Sequence, residues 1–368
     1  MTDDTARLPL KKASGEVPEG FLRVGPLTNI AQAIEHFAVD ADGLFASVGV
    51  SGELFANPDN IISPYTAGEL LERCAALTGC PHFALLLGRT QSASSLGMVG
   101  ELLPHCADVG TALAHLQDLL HLHDRAGIAT RTIDGSTATL GYTLFAGPIA
   151  GVDQIYDGTL VIAQNIMRLL CGSQWRARAV LLSRRRPANM RPYRQVFQCP
   201  IEFDAESSSL VFPASDLSLP VAGADPARFK LLKERLEDIR DRHDLDLVAQ
   251  TRRVVQAMLV LRRCSLTRVA GELAMNPRRL NRLLERAGKS YRELLDEARC
   301  GLALRLICNT DLSLGQIAVV LDYSSASAFT HAFKRWQDIS PQEWRRMHGC
   351  SMAAAPATTM PPKITAHG

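Results

Sequence analysis

Apolar positions in the C-terminal third of the chain repeat at a shift of 48 residues. The segment SLTRVAGELAMNPRRLNRLL, from Ser265, superposes on SLGQIAVVLDYSSASAFTHAF, from Ser313. The superposed pairs are Leu266 with Leu314, Val269 with Ile317, Ala270 with Ala318, Leu273 with Leu321 and, at a shift of 49, Leu280 with Phe329 and Leu284 with Phe333. This self-similarity indicates an internal duplication of one supersecondary unit.

Each copy is predicted to form two short amphipathic helices separated by a turn. Apolar residues recur three and four positions apart on both sides of a break, which lies at 275–277 in the first copy and at 323–325 in the second. The candidate N-caps are Ser265 and Ser313 for the first helices, and Asn276 and Ser324 for the second helices. Two helices joined by such a turn form a helix-turn-helix, whose second helix enters the major groove of DNA.

The polar faces of the two second helices carry the candidate DNA contacts. Arginine can fork onto guanine and asparagine onto adenine, while further cations and hydroxyl groups suit the phosphate backbone. The whole chain has a net charge of only +2, yet residues 258–347 contain fifteen Lys and Arg against nine Asp and Glu. We expect DNA contacts from Arg278, Arg279, Asn281, Arg282 and Arg286 in the first unit, and from Ser324, Ser325, Ser327, Thr330, His331, Lys334 and Arg335 in the second.

The first two thirds of the chain mix two periodicities. Helical spacing occurs at 27–39, 66–79, 109–127 and 158–172. Alternating residues predict a β-hairpin over 129–145 around Asp134 and Gly135, and further strands within 176–185 and 210–214. We therefore expect an α+β domain, followed by a polar helix at 227–243 that either connects two domains or mediates dimerisation.

Composition excludes several classes of protein. Hydrophobic residues make up 46% of the chain and charged residues 21%, as in an ordinary globular protein, and no eighteen-residue apolar run or secretory signal is found. Without such a run or signal we expect a cytoplasmic protein. The nine cysteines form no CxxC pair, which favours reduced, mostly buried thiols. His121 and His123 fall on different helix faces, so we expect no metal site, and without a catalytic or cofactor motif we expect no enzyme and no cofactor.

The C-terminal segment resembles the DNA-binding domain of the AraC/XylS family of bacterial transcription regulators. In that family two helix-turn-helix units are bridged by a long helix, and 290–309 has the matching helical spacing between the two units of this chain. The family signature covers the second unit and the residues after it. Its positions are matched here by Ile317, Ala318, Leu321, Tyr323, Phe329, Phe333, Lys334, Trp336, Ser340, Pro341 and Arg345.

Three turn positions depart from the family, which often has glycine there. Ala274, Asp322 and Asp338 occupy these positions, and we expect a positive φ at each. Aspartate tolerates the left-handed conformation fairly well, whereas alanine costs roughly 1 kcal/mol relative to glycine. The first turn is therefore expected to be slightly strained.

The N-terminal part is similar to the arabinose-binding-type domain of one AraC subgroup, over the segments that begin PHFALLLG at Pro81 and YRQVFQCP at Tyr193. This resemblance implies an α+β effector domain joined to an all-α domain with two helix-turn-helix units and a linker helix. The expected divisions are a flexible start (1–20), the effector and dimerisation domain (21–224), an inter-domain helix (225–245), the DNA-binding domain (246–347) with units at 265–287 and 313–336, and a disordered tail (348–368).

The resemblance also implies a function. We expect a homodimeric, ligand-responsive activator that binds double-stranded promoter DNA and acts with RNA polymerase, each subunit reading two successive major grooves. The identity of the small-molecule effector stays open, because members of the subgroup respond to different ligands. Candidate ligand-binding residues, chosen as polar or aromatic side chains that suit an apolar pocket, are Arg89, Tyr142, Trp175 and Tyr193.

Two other classes of function remain alongside this interpretation. An enzyme fused to a DNA-binding module would need a reactive cysteine or a metal site in the N-terminal half. An architectural DNA-binding protein that needs no ligand would keep its DNA affinity unchanged across a panel of metabolites.

Overall fold

The computed structural model describes residues 17–242 and 246–348. Most of the predicted flexible start (1–16), part of the predicted inter-domain helix (243–245) and most of the predicted tail (349–368) lie outside these residues. The described chain forms an α+β N-terminal domain and a helical C-terminal domain, as the sequence predicts.

Two β-sheets are present in the described part of the N-terminal domain, one with two strands and one with five. The larger sheet has the order β3-β4-β7-β5-β6, and only β5 and β6 pair in parallel. The predicted hairpin is confirmed, with Gly135 at φ +55° in its turn. The strands are β1 (Leu22–Arg23), β2 (Ile61–Ile62), β3 (Gly127–Asp134), β4 (Thr137–Leu144), β5 (Ala179–Leu181), β6 (Ile201–Glu202) and β7 (Ser208–Pro213).

Nine α-helices of the described residues belong to this domain, and the longest of them, α7, packs against α4 and the larger sheet. The helices are α1 (Ile30–Glu35), α2 (Ala41–Ser47), α3 (Pro64–Leu77), α4 (Phe83–Arg89), α5 (Met98–Leu102), α6 (Val109–Leu119), α7 (Val152–Cys171), α8 (Arg191–Phe197) and α9 (Pro226–Arg242).

Two predicted helices are shorter than their apolar patterns. The helix expected over 109–127 ends at Leu119 and is followed by a 3-10 turn at Leu120–Leu122. The carboxylate of Asp124 then accepts the amides of Ala126 and Gly127, where the chain turns into β3. The pattern at 27–39 yields only α1. Helix α9 packs Leu232 and Leu236 into the N-terminal core, so one of its faces belongs to that domain.

The C-terminal domain consists of seven helices within the described residues, arranged around α13. The long α13 buries Leu294, Leu302 and Leu306 among residues from both duplicated units. Across the described chain, no helix is long and apolar enough to cross a membrane. The helices are α10 (Leu247–Val260), α11 (Leu266–Glu272), α12 (Pro277–Arg286), α13 (Tyr291–Asn309), α14 (Leu314–Val320), α15 (Ala326–Gln337) and α16 (Pro341–Met347).

The duplicated units begin their helices with the side-chain caps that the sequence predicts, except at one position. Ser265 and Ser313 cap α11 and α14, and Asn276 accepts the amide of Arg279 at the start of α12. In the second unit Ser325, and not Ser324, caps α15. The reason is the extra residue in the second turn, which moves the cap to a shift of 49.

All three turn positions that lack the family's glycine adopt a positive φ. The values are 51° at Ala274, 59° at Asp322 and 61° at Asp338. The prediction of left-handed backbone at these positions is confirmed, and the strained case is the alanine.

Candidate DNA interface and effector cavity

Helix α12 presents a cationic face to solvent. Leu280 and Leu284 anchor its opposite face in the core, with both side chains fully buried. Its polar side chains point away from that core, and none of its arginines forms an ion pair with another described residue. The outward residues are the exposed Arg278, Arg279, Arg282 and Arg286 and the half-buried Asn281. This face is therefore available to an anionic partner.

Helix α15 is held by an aromatic cluster. Phe329 and Phe333 are fully buried, and their rings meet edge to face at 5.8 Å. Phe333 also contacts Trp344 of α16, with 6.0 Å between ring centroids. Such edge-to-face pairs add to the burial of the rings themselves. The cluster fixes the orientation of α15 and so of its polar side chains.

The predicted contact residues on α15 divide into two sets. Three of them have partners inside the domain: Ser325 caps the helix, Thr330 donates its hydroxyl hydrogen to Ala326 O, and Arg335 pairs with Asp296 at 3.0 Å. The others have no side-chain hydrogen bond or ion pair among the described residues. These are the exposed Ser324, Ser327, His331 and Lys334.

Both units are fastened to the linker helix α13. Tyr291, at its start, lies 3.4 Å from the thiol of Cys264, just before α11. Arg299 stacks its guanidinium 4.6 Å from the ring centre of Tyr323 and donates a hydrogen bond to Asp322 O at 3.2 Å. Arg299 thus holds the second turn, a role that the sequence analysis did not assign. Both helix-turn-helix units are therefore attached to the same helix.

A cavity of about 130 Å³ lies in the N-terminal domain. Its walls come from α3, α4, α6 and α7 and from the hairpin β3–β4. Most of the lining is aliphatic, and the polar side chains on it are His123, Asp124, Tyr142, Gln154 and Thr159. A mainly apolar wall with a few polar groups is typical of small-molecule sites.

A buried pair of polar side chains stands on the cavity wall. Tyr142 donates its hydroxyl hydrogen to Asp124 Oδ2 at 2.5 Å, while Asp124 Oδ1 accepts two backbone amides. Burial raises the pKa of Asp124, and burial together with the Asp124 charge raises the pKa of Tyr142 well above its usual value. Burial, reinforced by the charge of Arg23, lowers the pKa of the neighbouring His123 to about 3. The imidazole is therefore neutral at physiological pH.

The structure does not bring the four predicted ligand residues together. Tyr142 lines the cavity, whereas Arg89 is exposed at the end of α4. Trp175 donates its indole hydrogen to Asp216 at 2.9 Å, and the buried Tyr193 donates to Asp157 at 2.5 Å. Both bonds lie outside the cavity. The wall residues His123, Asp124 and Thr159 were not selected as ligand residues from the sequence.

The two domains meet along α13. The buried Arg305 donates to Ser183 Oγ at 2.7 Å and lies 5.5 Å from the ring centre of Tyr156. The Tyr156 ring in turn lies 6.2 Å from that of Tyr142 on the cavity wall. A side-chain path therefore runs from the cavity to the linker helix of the DNA-binding domain.

Gly301 allows a close approach between the two domains. A Cβ atom there would lie 2.4 Å from Phe145 O, at the end of the hairpin β3–β4. At the C-terminal end of α13, Arg185 pairs with Asp311 at 2.6 Å and donates to Cys308 O at 2.9 Å. The interface is thus both close and polar.

Two helix-turn-helix units on one linker helix, joined to an α+β domain, define a DNA-binding transcription regulator. Comparison with known proteins gives the family. Residues 39–221 match the N-terminal arabinose-binding domain of AraC transcription regulators, and residues 269–347 match a helix-turn-helix domain. The chain belongs to the AraC/XylS family and is a transcription regulator, not an enzyme.

Several known regulators are similar over most of the chain. VirS, an HTH-type transcriptional regulator of Mycobacterium tuberculosis, is 29% identical over 77% of this chain and 84% of its own. The ornithine utilization regulator of Pseudomonas aeruginosa is 27% identical over 85% of this chain and 92% of its own. The crystal structure of CdpR, a transcriptional regulator from Pseudomonas aeruginosa, covers 86% of this chain and 97% of its own, with 21% identity and a TM-score of 0.43.

Proposed function

We propose that the chain is a ligand-responsive activator that reads two successive major grooves with α12 and α15. The observation that carries this proposal is the attachment of both helix-turn-helix units to α13. With 19 residues, α13 is about 28 Å long at 1.5 Å per residue. One turn of DNA is about 34 Å, so α13 suits a subunit that docks on one face of the duplex.

The two recognition helices are proposed to contribute differently. The free arginines and Asn281 of α12 suit base edges as well as phosphates, because guanidinium and amide groups form bidentate contacts with guanine and adenine. On α15 the four side chains without partners inside the domain offer hydroxyl groups, an imidazole and one ammonium. They suit contacts that position the backbone, with less base discrimination.

The cavity is proposed to hold the effector. Its wall is connected to α13 through the rings of Tyr142 and Tyr156 and the guanidinium of Arg305. A ligand that displaces the two tyrosine rings would therefore change how the DNA-binding domain is held. We further propose that the chain acts in the cytoplasm as a homodimer and promotes transcription by contacting RNA polymerase at the promoter. The name of one relative makes ornithine a ligand to include in any screen.

The substitution Arg282→Ala tests the placement of α12. On DNA selected by the wild-type protein from a random pool, a lost bidentate contact lowers specific affinity by about 1–3 kcal/mol and relaxes base preference at one position. Arg194→Ala, at an exposed arginine of α8, is the matched control and leaves affinity and preference unchanged. Wild-type footprinting and base preference in Arg282→Ala would contradict the proposed role of α12.

A further inference from the structure

The polar groups on the cavity wall divide into satisfied and unsatisfied ones. Gln154 accepts the amide of Ala84 at 3.0 Å and donates to Pro81 O at 2.7 Å. Asp124 accepts three hydrogen bonds, one of them from Tyr142. Neither Gln154 nor Asp124 therefore depends on a ligand for its hydrogen bonds.

Unlike Gln154 and Asp124, His123 and Thr159 have side chains whose hydrogen bonds are not satisfied by the described residues. The side chain of His123 is almost fully buried, and its imidazole forms no hydrogen bond with the described residues; Nδ1 is a buried nitrogen without a partner. The hydroxyl of Thr159, on α7, also forms no hydrogen bond within the described chain. A buried polar atom without a partner costs free energy, as His123 Nδ1 does here. The half-buried Thr159 lies on the same cavity wall. These two side chains therefore mark where a ligand can form hydrogen bonds.

Charge on the wall restricts the ligand further. Among the described residues, no lysine or arginine lines the cavity. Arg23, the cation that acts on His123, donates to Leu122 O and pairs with Asp59. A ligand carboxylate would lie beside Asp124 with no cation on the wall, and burial of an unpaired charge is costly. A sugar would bring more hydroxyl groups than the two free side chains can satisfy.

The size of the cavity sets the remaining limit. A cavity of about 150 Å³ accommodates benzene, so this one, at about 130 Å³, suits a molecule of similar size. We propose that the effector is an uncharged, mainly apolar molecule of about this size, whose single hydroxyl or carbonyl group binds to His123 and Thr159. This inference rests on the proposed function of the cavity as the effector site.

A matched set of probes tests the ligand class on the full-length protein. Cyclohexanol is compared with cyclohexane, cyclohexanecarboxylate, cyclohexylammonium, arabinose and ornithine, by thermal shift and titration calorimetry. Cyclohexanol is expected to raise Tm and to bind more tightly than cyclohexane, whereas the charged and polyhydroxylated compounds leave Tm unchanged. Tighter binding of a carboxylate, an ammonium compound or arabinose, or no binding of cyclohexanol, would overturn the proposal.

Variants locate the site. His123→Phe is expected to lower the affinity for cyclohexanol about five- to tenfold, the effect of one lost hydrogen bond, with no change for cyclohexane. Thr159→Val, which keeps the shape of the side chain, gives the same test if His123→Phe does not fold. Ala163→Phe fills the cavity and is expected to abolish binding of both probes. Equal cyclohexanol affinity in all variants would contradict the site.

DNA binding separates this inference from the proposed function. If cyclohexanol binds in the cavity and changes DNA affinity, the proposed ligand class and the effector role of the cavity both stand. If it binds there and DNA affinity is the same with and without it, the ligand class stands and the effector role of the cavity fails. If ornithine or arabinose binds and changes DNA affinity while cyclohexanol does not bind, the effector role stands and the ligand class fails.

Discussion

Ala274 occupies a conformation that other residues adopt at lower cost. It lies in the first helix-turn-helix turn at φ 51°, where an L side chain is strained and glycine is not. Ala274→Gly is expected to raise the free energy of unfolding by about 0.5–1 kcal/mol. Denaturant unfolding of the full-length protein measures the change.

A matched substitution is expected to change the free energy of unfolding in the opposite direction. Ala257 lies inside α10, where the backbone is helical. Ala257→Gly is therefore expected to lower the free energy of unfolding by about 0.5–1 kcal/mol, since glycine loses more backbone entropy. Destabilisation by both substitutions would show that the first turn is not strained.

His123 makes stability depend on pH. Its pKa is about 3 in the folded protein and about 6.5 in an unfolded chain. Between these values the unfolded state binds more protons, so stability is complete above about pH 6.5 and falls as the pH is lowered. The expected loss is about 2 kcal/mol from pH 6.5 to pH 5 for this side chain. His123→Phe is expected to reduce the slope in unfolding curves recorded across this range; an unchanged slope would contradict a neutral, buried imidazole.

Single residues also show why the cavity could not be chosen from the sequence. Tyr193 and Trp175 have the chemistry of ligand-binding residues, but their hydrogen bonds go to Asp157 and Asp216, which lie 36 and 41 positions away along the chain. Only the fold brings these groups together. His123 was considered for metal binding, because its spacing from His121 was visible and its burial was not.

At the level of elements, the helix-turn-helix units could be predicted because every signal is local. Caps, turns and apolar spacing lie within about twenty residues, and the observed caps at Ser265, Asn276 and Ser313 follow the pattern. The wrong cap, Ser324, lies 48 residues after Asn276, whereas the observed cap, Ser325, lies 49 residues after it. The shift therefore changes within the second turn. The contact between α13 and the hairpin β3–β4 has no local signal and was not predicted.

The contact between α13 and the hairpin β3–β4 can be tested directly by a substitution at Gly301. Gly301→Ala would place a methyl group 2.4 Å from Phe145 O, so the domains must separate locally. We expect faster hydrogen exchange at the C-terminal half of α13 and a lower free energy of unfolding.

Gly271→Ala is the matched control for this substitution. Gly271 also lies in a helix of the DNA-binding domain, but a Cβ atom there meets nothing within 4 Å. The control is expected to raise the free energy of unfolding by about 0.5–1 kcal/mol, since alanine favours the helix. Similar hydrogen exchange in both variants would contradict a close domain interface at α13.

At the scale of the whole molecule, the proposed regulation follows from the position of α7. One side of this helix lines the cavity, and Tyr156 on it lies beside Arg305 of the DNA-binding domain. A ligand can therefore act on the linker helix through direct packing. An architectural DNA-binding protein without an effector would show the same DNA affinity with every compound that enters the cavity.

The arrangement of both recognition helices on α13 is tested most directly by methylation interference on selected DNA. Two contact regions are expected in adjacent major grooves, centred about 10 base pairs apart on one face of the duplex. Arg282→Ala should weaken the interference in one region and leave the other unchanged. A single contact region for each subunit, or the loss of both regions in Arg282→Ala, would contradict the proposal that α12 and α15 read successive grooves.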